Sequence, residues 1–147
     1  MKYFKRIVVS VCVFLLSACS DSDTSVDNVD VTAGDVPNSL VGVYRGTISA
    51  KAEAGLLSER FTEPVTITVS EDNTVTFSGD DPDEVFTTTI GSNGGFNGSL
   101  TINEGECEGV VNVSGTVDGS TASGDIGGDG KCRGIDVDLT GSFSATK

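Results

Sequence analysis

The chain has 147 residues, 22 of them acidic against nine basic, a formal net charge of −13, and neither histidine nor tryptophan. So much negative charge repels phosphate backbones and anionic headgroups, which excludes nucleic acid as a partner and charge-driven adsorption to a membrane. Without histidine there is no unperturbed group titrating near neutral pH, no histidine-bearing zinc site and no Ser–His or Cys–His nucleophile pair. Carboxylates could still do acid–base chemistry, but with so many on a small surface no one pair is informative. The composition reads as that of a non-enzyme without a cofactor.

Residues 1–18 have the form of a secretory signal peptide. Lys2, Lys5 and Arg6 precede the apolar run IVVSVCVFLL, and the small residues Ser17 and Ala18 precede Cys19. The run falls short of the about 20 apolar residues that a spanning helix needs. Leu16-Ser17-Ala18-Cys19 resembles the lipobox of bacterial lipoproteins. The resemblance implies that the Cys19 thiol receives a diacylglyceryl group, that cleavage falls before Cys19, and that the new amino terminus is acylated. It further implies a cell-envelope protein whose membrane partner is reached through lipid. Two or more acyl chains hold a protein stably where one does not, at about 0.8 kcal/mol per buried methylene. Ser20 stands where Asp marks inner-membrane retention in the enterobacterial form of the family, so the outer membrane is the expected location. Loss of residues 1–18 leaves six basic and 22 acidic residues, a net charge of −16.

Residues 19–39 follow as the expected lipidated cysteine and tether. Five Asp residues, scattered valines and no periodic apolar face predict a disordered segment with no binding role of its own. Residues 40–147 are then one small domain with one core.

That domain has little helical periodicity. Eight short β-rich segments are expected, at Val41–Ala50, Arg60–Ser70, Thr74–Ser78, Val85–Ile90, Phe96–Ile102, Cys107–Gly115, Thr121–Ile126 and Gly134–Thr146. TVDGST, SEDN and NEGE have the composition of hairpin turns. KAEAGLLSE, residues 51–59, reads as a longer loop with room for one helical turn. The pattern predicts an all-β fold, an eight-stranded antiparallel up-and-down barrel, with a β-sandwich as the alternative. Gly46/Ile48, Gly98/Leu100, Gly115/Val117 and Gly141/Phe143 each place a glycine and a large apolar residue on one face. An inward glycine beside a bulky residue suits the bends and taper of a small barrel. The rings of Phe96 and Phe143 are expected to fill the space the glycines leave, giving a filled interior. At the first strand Leu40-Val41-Gly42-Val43-Tyr44 resembles the opening of lipocalin-like barrels, with Tyr44 where that family has Trp. The resemblance implies a lipocalin-like shape with Tyr44 packed at the barrel floor.

In a secreted domain, Cys107 and Cys132 are expected to form a disulfide. On the predicted strands the seventh lies between them, which puts next-but-one backbones nearly 10 Å apart. Cys132 is therefore expected to reach across from a flexible loop, GGDGKCRG. Asp80, Asp81, Asp83 and Glu84 form the densest acidic cluster and are the candidate calcium ligands. Neither that cluster nor Asp125-Ile-Gly-Gly-Asp129-Gly has the order of an EF-hand loop, and a solvated acidic turn is the favoured reading for both. The functional expectation is a lipid-anchored binding or interaction module; the alternatives are a carrier of a small apolar ligand and a structural envelope component.

Overall fold

The computed structural model describes residues 29–79 and 85–147. Eight antiparallel strands form a nearly closed barrel: β1 Gly42–Ala54, β2 Leu57–Val69, β3 Thr74–Ser78, β4 Val85–Thr89, β5 Gly95–Glu104, β6 Cys107–Asp118, β7 Thr121–Cys132 and β8 Ile135–Thr146. The order across the sheet is β4-β3-β2-β1-β8-β7-β6-β5. Pairing of β1 with β8, from Arg45↔Thr146 to Glu53↔Asp138, curls the meander back on itself. That pairing decides between barrel and sandwich. Between β4 and β5 the wall is joined by the Ile90↔Phe96 bridge and by Thr88 Oγ1 donating to the Asn97 carbonyl at 2.5 Å.

Two expected loops are strand instead. β1 and β2 run on to Ala54 and Leu57, joined by Gly55-Leu56 alone, so residues 51–59 hold no helical turn. Their small and polar residues alternate as the pleat requires, with Ala50, Ala52 and Ala54 buried and inward. Likewise GGDGKC is the second half of β7, in register with β6 and β8. Arg133 and Gly134, at φ 54° and 79°, close the β7–β8 hairpin. Positive φ at both central residues matches the right-handed twist of the flanking strands. Glycine is favoured at that second position because a Cβ disfavours the left-handed region.

The long strands define two ends. The turns after β2, β4 and β6 share one end with residues 29–40, a strap across the molecule. The turns after β1, β5 and β7 share the other, here the hairpin end. From residue 29 onward the segment expected to be a tether is bound to the barrel. Asn97 Nδ2 donates to the Val29 carbonyl (3.0 Å) and Asn93 Nδ2 to that of Asp30 (2.8 Å). Ser92 N donates to the Thr32 carbonyl (2.9 Å), and Val36 N donates to Asn73 Oδ1 (2.7 Å). Val36 and Leu40 of this strap are buried. These bonds satisfy backbone groups of a segment that has no sheet partner of its own.

The core lies in the strap-end half. Phe77 meets Phe143 edge-on at 5.3 Å and tilts against Phe96 at 5.7 Å and Phe86 at 5.9 Å, while Phe96 and Phe143 stand 6.0 Å apart. A Cβ on Gly115 would lie 2.7 Å from the Phe143 ring and 2.8 Å from that of Phe96. The rings occupy the room that the inward glycine leaves, as its spacing predicts. Tyr44, fully buried, sets its hydroxyl 2.7 Å from the Leu40 carbonyl and 3.1 Å from that of Gly119, pinning strap and β6–β7 turn together. Burial raises the Tyr44 phenol above its ordinary pKa.

Candidate binding cleft

Strand length differs around the barrel, and the site follows from that difference. β3 and β4 have five residues each and pair at the strap end; β3 meets β2 only from Thr66 to Val69. Residues 57–65 of β2 therefore run past β3, and residues 100–104 of β5 run past the contact with β4. The described strands leave the barrel wall open between these two runs. Behind the opening lies the concave inner face of β1, β8, β7, β6 and β5.

Small residues shape that face. Ala50, Ala52 and Ala54 line β1, and Gly128 and Gly130 stand inward on β7 opposite Val111 and Gly109 of β6. A Cβ on Gly128 would run into the Val110 carbonyl, so the close approach of β6 to β7 itself demands glycine there. Large side chains reach the cleft mainly from β8 and β5. Val137, Leu139 and Ile102 are all only half-buried, in contrast to the nearly sealed aromatic half. The pocket they bound with Ala52, Val111 and the disulfide has a volume of about 50 Å³. That is room for a few waters or a short stretch of aliphatic chain.

Cys107 and Cys132 are directly opposed, with Cα atoms 4.1 Å apart, and their disulfide forms part of the cleft wall. The expected pair is present, but the route to it differs. β7 is longer than its sequence suggested, so Cys132 is a strand residue beside Cys107 and no loop crosses an intervening strand. Arg133 of the next turn donates to Glu106 of the β5–β6 turn at 2.6 Å, and Arg133 N to the Glu106 carbonyl at 2.9 Å. The β5–β6 and β7–β8 turns are thus tied to each other across β6 and β7.

The acidic candidates separate. Asp80, Asp81, Asp83 and Glu84 lie outside the described residues, as does Cys19. Asp125 and Asp129 are not in a turn; they stand exposed on β7, on the outer face. Among the described residues no group of three His, Cys, Asp or Glu stands close enough to hold a metal ion. Asn97 and Asn112 have structural partners: the Val29 carbonyl and the Ser99 hydroxyl, which donates to Asn112 Oδ1 at 2.6 Å.

Sequence reasoning found the barrel and the disulfide but missed the cleft. Its available signal was Ala50-x-Ala52-x-Ala54, three small residues on one face, of which Ala52 and Ala54 fall in a stretch that reads as loop. The chain is an eight-stranded up-and-down β-barrel protein. No protein-family model matches it, and no curated protein matches it either.

Proposed function

We propose that this is a lipid-anchored lipoprotein of the bacterial cell envelope whose barrel serves as a non-enzymatic binding module, with the outer membrane as its location. The Leu16–Cys19 pattern behind a short apolar run supports the anchor. The strap supports a close attachment: nine residues separate Cys19 from Val29, which is held on β5, so the lipid lies within about 35 Å of the barrel at full extension. The observation that carries the binding reading is the half-filled lumen at the hairpin end, where half-buried aliphatic side chains converge on a pocket. The same cleft favours the carrier of a small apolar ligand over a structural envelope component.

Replacing Cys19 by Ala tests the anchor. Metabolic labelling with palmitate is expected to disappear and the precursor to accumulate. Unchanged labelling of the variant would remove the lipoprotein reading.

A further inference from the structure

The cleft has an apolar floor, and strand register puts two carboxylates on the inner face beside it. In the β1–β2 pairing Ala52, which lines the pocket, stands opposite Glu59, and Ile48 stands opposite Glu63. Directly opposed residues of antiparallel strands share a face, with Cβ atoms about 5 Å apart. Glu59 and Glu63 therefore belong to the inner face of β2, on the strand that borders the opening. The basic residues of this half are placed differently. Lys51, Arg60 and Lys131 alternate to the outer face, and Arg133 is in a turn. Lys51 pairs with Glu53, Lys131 with Asp136 and Arg133 with Glu106.

An apolar guest could carry a negative, neutral or positive head. A carboxylate or phosphate head would meet Glu59 and Glu63 and the field of a strongly acidic protein. An ammonium head would be drawn to both, while its chain covers Val137, Leu139 and Ile102. Fully buried aliphatic surface supplies the affinity and the two carboxylates supply the selection.

We propose that the cleft at the hairpin end binds a cationic amphiphile, a short aliphatic chain bearing an amine, with the chain against Val137, Leu139 and Ile102 and the ammonium group at Glu59 and Glu63. The inference rests on the binding-module reading and is independent of the lipid anchor. Among the described residues the cleft opens to the side, between β2 and β5, and away from the strap end that Tyr44 and Leu40 close.

The test uses the full chain carrying Cys19→Ser, with its disulfide intact, so that no covalent lipid competes. Octylammonium, octanoate and octanol share a tail and differ in head charge. Calorimetry and methyl NMR are expected to show octylammonium saturating at one per chain and shifting the methyl signals of Ile102, Val137 and Leu139. Octanoate should bind at least tenfold more weakly. Joint replacement Glu59→Gln and Glu63→Gln should weaken octylammonium several-fold and leave octanol unchanged; both sites are at the rim, so folding is spared. Asp118→Asn with Asp125→Asn, on the outer face, should leave affinity unchanged. Ala52→Leu should abolish binding of octylammonium and octanol alike, with Ala52→Val as the milder variant if the first fails to fold.

Octanoate binding as tightly as octylammonium would overturn the proposal, as would unsaturable uptake or indifference to the glutamate replacements. Octanol bound with no preference for the amine would overturn the cationic guest and leave the binding module standing. Failure of all three tails to bind would overturn both.

Discussion

The two halves of this barrel are built from the same strands by opposite means. At the strap end, Phe77, Phe86, Phe96 and Phe143 meet one another, and Tyr44, Ile67 and Val75 are fully buried around them. At the hairpin end the inner face carries alanines and glycines, and its larger aliphatics remain half-buried. Wall length explains the contrast. Eight strands surround the aromatic half, while β3 and β4 end before the other half, leaving fewer walls to fill it. The tightly packed core thereby falls at one end of the sheet and the proposed binding cleft at the other.

The largest expected effect tests that division directly. Phe96→Ala should cost about 3–5 kcal/mol, because a fully enclosed ring leaves a cavity that its neighbours cannot close. Leu139→Ala, in the half-open region, should cost well under half as much. Urea unfolding of the two variants measures both, and equal losses would break the comparison.

The disulfide is the exception that sharpens it, a strong constraint in the loosely filled half. Closing a loop between two residues 25 apart in the sequence contributes about 3.5 kcal/mol in the chain-entropy model. Cys107→Ser should lower stability by about that amount, read from the urea midpoint. Alkylation with intact-mass analysis should find neither Cys107 nor Cys132 reactive before reduction.

Tyr44 gives the smallest effect and reports on the strap end alone. Its burial raises the phenol pKa, so the folded state disfavours the phenolate. Stability from this group is fully present below the unfolded pKa of about 10 and is lost as pH rises through the folded value. Tyr44→Phe should cost about 1 kcal/mol at neutral pH, from the lost hydrogen bonds, and should remove the alkaline loss. The one other tyrosine is Tyr3, which the proposed cleavage before Cys19 would remove, so the phenolate absorbance of the cleaved chain would follow Tyr44 by itself.

The sequence by itself determined the all-β class, the eight strands in their order, and the inward parity of the main hydrophobic residues. Those features are local: alternation with a period of two, and turn residues such as Gly119 and Gly105 at their positions. It also marked Cys107 and Cys132 as partners. Tertiary structure decided the rest. Ala52 and Ala54 carry too little hydrophobic signal to mark a strand; Ala52 is held in one by both β2 and β8, and Ala54 by β2. The glycines of GGDGKC read as a loop because glycine is intrinsically poor in strands, yet the tight approach of β6 to β7 requires them. Residues 29–36 lack periodicity, and their order comes from Asn73, Ser92, Asn93 and Asn97, distant in sequence. The cleft was invisible for the same reason. It exists because two strands stop short of their neighbours, and that relation between strands is settled only when the sheet closes.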